Sequence, residues 1–279
     1  VALQLTQVSY TYGQDTRFAQ PALHEVDLSA EVGRLALVAG PTGSGKSTLL
    51  RMAAGLIPVQ AGKVEVDGHA GGDRVGAPGG IGLVFQSPET QLFAETVLED
   101  VAFGPRQQGV GEAEAEQIAR GALTRVGLPP AQFAARSPFS LSGGEARRAA
   151  LAGTLALRSR YVLLDEPTAG LDAQGRAAVL SLIDDLRTDG GVVVVSHDLD
   201  AFLGRADDAL LLREGRTAYY GPAEELVQDP RVLSDAGLGI PEVLRIQLAA
   251  RERGVLSGAL TMDPDEAARS ILAGGGWPA

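Results

Sequence analysis

An apolar run, Arg34–Gly40, gives way to Gly40-Pro-Thr-Gly-Ser-Gly-Lys-Ser47 and then at once to a helically patterned segment, Lys46–Ala54, stopped by Gly55. Strand, glycine-rich turn and helix in that order admit few folds, because the turn must deliver a helix N-terminus to the end of a buried strand. The glycines let backbone N–H groups converge on an oxyanion, and the helix N-terminus adds a partial positive charge. In such a loop Lys46 reaches the β- and γ-phosphates of a nucleotide and the Ser47 hydroxyl binds Mg²⁺. The expected phosphate-binding set is Gly40, Pro41, Thr42, Gly43, Ser44, Gly45, Lys46, Ser47 and Thr48.

The rest of the chain supports a β–α–β alternation. Tyr161–Leu164 and Val192–Ser196 are nearly continuous apolar strands, with Gly175–Thr188 as the helix between them, as a parallel sheet covered on both faces requires. The first 35 residues predict short strands around Leu3, Leu5 and Val8, then Leu23, Val26 and Leu28, broken by the polar run Gly13–Gln20. Lys63–Val66 and Ile81–Phe85 are further strands, separated by a glycine-rich loop, Gly68–Gly80. From Glu89 to Arg158 the pattern turns helical, with Ala115, Ile118, Ala119, Ala122 and Val126 on one face. A hairpin is expected over Ala209–Tyr220. Short helices follow, the last N-capped by Asp263 with Pro264 as its first residue, before a frayed tail at Gly274–Ala279.

Composition excludes several kinds of chemistry. There is no cysteine for a disulfide or thiolate site, and the three histidines include no close pair. A net charge of −11 disfavours non-specific binding to nucleic acid, whose phosphates need a basic face. No apolar stretch approaches the roughly 20 residues that span a bilayer, and Val1–Ser9 lacks the regions of a signal peptide. A soluble protein is expected, with any membrane role exercised through partners.

Two further motifs carry chemistry. Tyr161-Val-Leu-Leu-Asp165-Glu166 is an apolar strand ending in adjacent carboxylates, costly groups to bury without a purpose. Asp165 would hold Mg²⁺ and Glu166 would polarise an attacking water. Leu141-Ser-Gly-Gly-Glu145 reads as a capping box, Ser142 with Glu145, opening a helix to about Leu157. It reads equally as an anion site, since a capped N-terminus preceded by glycines is one.

Taken in order, these motifs resemble the ATPases of ABC transporters, a similarity that covers roughly residues 1–222. The phosphate loop corresponds to Walker A, Gln86 to the Q-loop glutamine and Leu141–Glu145 to the LSGGQ signature, with Glu145 where glutamine is usual. Asp165–Glu166 close Walker B, Ala169–Asp172 is the D-loop, His197 the switch histidine, and Tyr12 the aromatic that stacks on adenine. The resemblance implies a P-loop NTPase of the ABC type: an α/β fold with a mostly parallel sheet, an N-terminal antiparallel β-subdomain and a helical insertion at about 89–158. It implies ATP and Mg²⁺ as cofactors, with Ser47, Gln86 and Asp165 around the metal and Glu166, His197, Gln86 and Lys46 catalytic. It also implies a dimer, homomeric or with a paralogue, in which one protomer offers Ser142, Gly143, Gly144 and its D-loop, including Asp172, to the other's nucleotide.

Phe85–Phe93, Asp100-Val-Ala-Phe-Gly-Pro105, Gly153 and Thr168-Ala-Gly-Leu-Asp172 are similar to the energy-coupling-factor importers, which take up vitamins or transition-metal ions. That resemblance implies a membrane transport subunit, a membrane solute-binding subunit, and attachment to the cytoplasmic face of the membrane. A groove for a cytoplasmic helix of the membrane partner is expected over Gln86–Phe103, with Leu92, Phe93, Val97, Val101 and Phe103 as its floor and Glu89, Glu95, Glu99 and Asp100 as an acidic rim. Residues 223–279 form a helical extension that fits a stabilising appendage and a dimer contact alike. Two other classes are an ABC ATPase acting on nucleic acid or ribosomes, whose paired domains and basic patches are missing here, and a non-hydrolysing partner subunit, against which Glu166 and His197 speak.

Overall fold

The computed structural model describes residues 1–70, 79–86 and 91–273. Most of the Gly68–Gly80 loop, the expected helical start at Glu89 and the tail Gly274–Ala279 lie outside them. In chain order the elements are β1 (Ala2–Tyr12), β2 (Gln20–Glu31), β3 (Leu35–Ala39), α1 (Lys46–Ala53), β4 (Ala61–Val66), β5 (His69–Ala70) and β6 (Ile81–Val84). A helical stretch comes next: α2 (Val97–Gln107), α3 (Glu112–Arg125), α4 (Pro130–Phe133), a 3-10 turn at Pro138–Ser140, and α5 (Gly143–Ala156). Then come β7 (Tyr161–Asp165), α6 (Ala173–Asp189), β8 (Gly191–Val195), α7 (Leu199–Phe202), β9 (Asp208–Arg213) and β10 (Arg216–Pro222). The last helices are α8 (Ala223–Gln228), α9 (Arg231–Asp235), α10 (Glu242–Glu252) and α11 (Pro264–Ala273).

A six-stranded sheet, ordered β10-β9-β3-β8-β7-β6, is parallel except for the β9–β10 hairpin at its edge. A four-stranded antiparallel sheet, β2-β1-β4-β5, stacks beside it. Strands β3, β7 and β8 are buried at every position, and their alternate residues divide between two cores. Leu35, Leu37, Val162, Leu164, Val192 and Val194 face the helical layer of α2, α3, α5 and α6. Ala36, Val38, Tyr161, Leu163, Val193 and Val195 face α1 and the antiparallel sheet. The period-two geometry of a strand thus builds three layers from runs that look uniformly apolar. Leu226, Leu233, Leu244 and Leu260 of the C-terminal segment join the helical-layer core.

The N-terminal strands are longer than expected, at 11 and 12 residues. Irregular register beyond Leu5 explains the difference: the strand carries Gln7 at φ +51°, so the apolar spacing slips from two to three between Leu5 and Val8 while pairing continues. Among the described residues the helical stretch is built of separate pieces, broken at Gly109 and Gly127, both at positive φ. On α3 Ala115, Ala119 and Ala122 are buried as expected, with Val126 just beyond, Ile118 is only partly buried, and Leu123 joins them.

Tyr161 ties the layers together. Its ring is fully buried and its hydroxyl donates to Asp67 at the end of β4, which also faces Arg160 at 3.6 Å. Burial, then the bond to Asp67, pushes the Tyr161 hydroxyl well above the usual tyrosine range. Replacing it by phenylalanine should therefore cost about 1 kcal/mol, one net hydrogen bond. Urea unfolding should show a lower midpoint at unchanged m-value.

Candidate functional site

The register of the parallel strands decides what can meet. Val38 of β3 and Asp165 of β7 both pair with Val195 of β8, so the three strands end level. Each of these strands runs directly into chemically active residues: β3 into the phosphate loop, β7 into Glu166, and β8 into Ser196-His197. The order of strands puts them in one crevice at the carboxyl ends of the sheet, where α/β folds place their ligands.

The loop's shape depends on missing side chains at two points. A Cβ on Gly40 would lie 2.2 Å from the Leu212 carbonyl oxygen, and Gly45, at φ +104°, would place one 2.5 Å from the Ala22 oxygen. Pro41 closes the turn by accepting from Ser44 N at 3.2 Å, while Thr42 and Gly43 form its exposed tip. Lys46 Nζ donates to the carbonyls of Gly40 at 2.7 Å and Pro41 at 2.9 Å. Burial lowers the Lys46 pKa, opposed by the nearby Glu166 and Asp165 charges. Ser47 Oγ donates to Asp165 Oδ2 at 3.1 Å. Burial raises the Asp165 carboxyl above its usual range, and the Ser47 bond works against that.

In the same loop, Ser44 Oγ is buried with no hydrogen-bond partner among the described residues. A buried unsatisfied hydroxyl is costly, and here it faces a loop built of backbone donors. The residues present therefore fit a phosphate chain with its Mg²⁺. Beyond them, the Tyr12 and Thr48 hydroxyls share a hydrogen bond of 3.1 Å, and Tyr12 packs edge-on against Tyr10. Tyr12, Gln20, Ala22 and Gly43–Thr48 line a cleft of about 250 Å³.

Glu166 is held more tightly than its motif implies. It is 7 % exposed and adopts φ +50°, a left-handed conformation uncommon for any residue with a side chain. Its Oε2 accepts from Ser196 Oγ at 3.0 Å, and its Oε1 accepts from His197 N at 3.0 Å and lies 2.7 Å from His197 Nδ1. The His197 ring itself is 73 % exposed. Ser196 is a site residue that sequence reasoning does not find, because nothing marks the last residue of an apolar strand. Only the register with Asp165 places it opposite Glu166.

Other expected site residues stand apart. Gln86 is exposed after β6, and its side chain makes no hydrogen bond to Ser47 or Asp165 among the described residues. The capping box at Ser142 is complete: Glu145 N donates to Ser142 Oγ at 3.3 Å and Ser142 N to Glu145 Oε2 at 2.8 Å. That backbone bond, foremost, holds the Glu145 carboxyl below its usual range. Gly143 and Gly144 form the first turn of α5. Asp172 caps α6, accepting from Gly175 N at 2.7 Å. Among the described residues, none of Ser142, Gly143, Gly144 and Asp172 hydrogen-bonds to the phosphate loop.

The expected partner groove needs correction. Leu92, Val97 and Val101 are not a floor: the helical period of α2 turns Val97 and Val101 into the core, and Leu92, in the turn before it, is buried there as well. Phe93 and Phe103 are exposed and stack edge to face, their centroids 4.8 Å apart. The rim is thinner too: Asp100 Oδ2 accepts from Phe93 N and Ala94 N, and Glu99 completes a capping box with Thr96. Glu89 lies outside the described residues.

The profile of the "ABC transporter" family matches residues 23–169. The chain belongs to that family, as one of its ATPases. Its curated relatives include the energy-coupling factor transporter ATP-binding protein EcfA2 of Symbiobacterium thermophilum, 46 % identical over 96 % of this chain and 95 % of the relative. The protein of the same description from Streptococcus sanguinis is 40 % identical over 91 % of this chain and 94 % of its own length. These relatives put the chain in the energy-coupling factor branch. Among solved structures, the ATP-binding cassette MJ0796, a dimer in a post-hydrolysis state with ADP and Pi, superposes with a TM-score of 0.71 at 28 % identity, covering 79 % of this chain and 98 % of that one. The cbiO1 protein of Clostridium perfringens, part of the ABC transporter complex cbiONQ, has a TM-score of 0.71 at 26 % identity, covering 88 % and 98 %.

Ser196→Ala should lower ATP turnover about tenfold, the worth of one hydrogen bond to a charged group. ATP affinity should be unchanged, since the Ser196 hydroxyl bonds to Glu166 and to the turn at Asp198. Steady-state kinetics separate the two quantities.

Proposed function

We propose that the chain binds ATP with Mg²⁺ at the phosphate loop and hydrolyses it between two protomers, as the ATP-binding subunit of an energy-coupling-factor-type importer. The observation that carries this reading is the convergence of Lys46, the Ser47–Asp165 pair and the Glu166–His197 pair on three level strand ends. Lys46 exchanges its two loop carbonyls for β- and γ-phosphate oxygens. Ser47 and Asp165, with Gln86, would hold the metal, which when bound offsets charge on the phosphoryl oxygens. Glu166, fixed through both carboxylate oxygens, orients and deprotonates water, and the exposed His197 reaches the γ-phosphate side. Tyr12 stacks on the base at the outer edge of the cleft.

A second protomer completes each site with Ser142, Gly143, Gly144 and the loop ending at Asp172. In support, Ser142, Gly143 and Gly144 open α5 and Asp172 opens α6, and among the described residues none of them hydrogen-bonds to the phosphate loop of its own chain. Splitting donors across an interface ties hydrolysis to closure. No helix among the described residues is long and apolar enough to cross a membrane, so attachment at the cytoplasmic face runs through a transport subunit, and a membrane solute-binding subunit selects the micronutrient, a vitamin or transition-metal ion. In this reading residues 1–222 are the ATPase domain and 223–279 an appended helical extension.

Glu166→Gln should bind ATP, lose roughly 10²–10⁴ in turnover, and accumulate as an ATP-dependent dimer on size exclusion. Lys46→Ala should bind no ATP. Normal turnover in the first, or normal affinity in the second, contradicts the assigned roles.

Phe93→Asp tests the membrane contact. The Phe93–Phe103 pair is an exposed aromatic patch beside Glu95, suited to an amphipathic helix carrying arginine. The variant should keep the ATPase activity of the isolated dimer and lose co-purification with the membrane subunit. Retained co-purification removes Phe93 from the contact.

A further inference from the structure

Helix α5 is capped by Ser142, and one of its side chains reaches three backbone carbonyls on two separate stretches of chain. Arg147 is only 9 % exposed. Its Nη1 donates to the carbonyl of Glu166 at 2.7 Å and also to that of Ala169, and its Nη2 donates to the carbonyl of Gln86 at 2.7 Å. Gln86 follows β6, Glu166 and Ala169 follow β7, and Arg147 belongs to the helical layer. A planar fork of five donors suits carbonyls converging from different loops better than any other side chain.

We propose that Arg147 is a positioning residue for hydrolysis: it fixes Glu166 and Gln86 against the helix that carries Ser142. The proposal rests on the assignment of Glu166 as the group that activates water. A left-handed glutamate persists only where its surroundings over-determine it. Glu166 has its N–H on Val195 O at 2.9 Å and its carboxylate on Ser196 and His197, and Arg147 supplies a further constraint, on the carbonyl. Without that constraint the Glu166 carbonyl keeps, among the described residues, only the Ala169 N–H at 3.2 Å, and the turn that holds the Glu166 backbone against α5 loosens. These bonds of Arg147 run to the Gln86 and Glu166–Ala169 backbone rather than to the phosphate loop, so nucleotide binding and turnover separate when it is lost.

The same geometry makes Arg147 a mechanical link. A displacement of α5, whose N-terminus would meet the partner's nucleotide, is transmitted through one guanidinium to the water-activating carboxylate and to the Gln86 loop. Closure at Ser142 and readiness at Glu166 then become one event in each protomer.

The test uses the full chain and three variants, Arg147→Met, Arg147→Lys and Arg147→Met combined with Glu166→Gln, beside Glu166→Gln alone. Arg147→Met should lower kcat about tenfold or more while the KM for ATP stays within about threefold. Arg147→Lys, which keeps a donor but not the fork, should recover part of that loss. In single-turnover measurements the double variant should be no slower than Glu166→Gln, because both changes disable one group. A wild-type kcat in Arg147→Met, a parallel change in kcat and KM, or full additivity in the double variant overturns the proposal. If Arg147→Met fails to fold, Arg147→Lys decides: reduced kcat with retained ATP affinity supports it, and wild-type kcat overturns it. A wild-type rate in Glu166→Gln alone would instead overturn the underlying assignment of Glu166.

Discussion

The adjacent carboxylates at the end of β7 set the terms for everything around them. A regular strand sends consecutive side chains to opposite faces. At Glu166 the backbone turns left-handed, and Asp165 and Glu166 both come to bear on Lys46, whose pKa each of them raises against the effect of burial. Two buried negative charges need partners, and the sheet register supplies them: Ser47 for Asp165, Ser196 and His197 for Glu166. Level ends of β3, β7 and β8 are therefore an electrostatic requirement as much as a topological one. A strand displaced by a single residue would leave a carboxylate with no donor.

Much of this is legible in the sequence because the motifs encode local geometry. The Gly40–Ser47 loop needs glycine where Leu212 and Ala22 crowd the backbone, and those requirements leave a pattern in the chain. The Ser142–Glu145 box and the Asp263 cap are local as well, and both form as expected. Ser196 and Arg147 leave no such pattern. Their partners are distant in sequence, and a serine ending an apolar strand or an arginine inside an alanine-rich helix looks ordinary until the strands are in register. The Leu92–Phe103 surface misleads for a related reason. Apolar identity alone does not say which face a short helix buries, and α2 buries Val97 and Val101 while leaving Phe103 outside.

The C-terminal segment is joined to the site by more than a shared core. Gly237, in the turn after α9, sits against Pro41 at the rim of the phosphate loop, and Arg213 donates to the Asp235 carbonyl in the same turn. Position 237 leaves no room for a side chain without pressing on Pro41: an added Cβ would lie 3.1 Å from the ring. The loop's outer wall is thus shaped partly by residues far downstream of the motifs, which gives a change in the extension a direct route to the nucleotide cleft.

Lys46 bound to its own loop carbonyls has a thermodynamic meaning. The loop's own carbonyls satisfy the ammonium and close the loop's curvature from within. On the proposed role of Lys46, nucleotide binding is an exchange reaction whose free energy is the difference between two sets of contacts. A ligand lacking terminal phosphates offers nothing to trade for the two carbonyls. In that role the loop would tell a triphosphate from a bare nucleoside at the cost of giving up its own contacts.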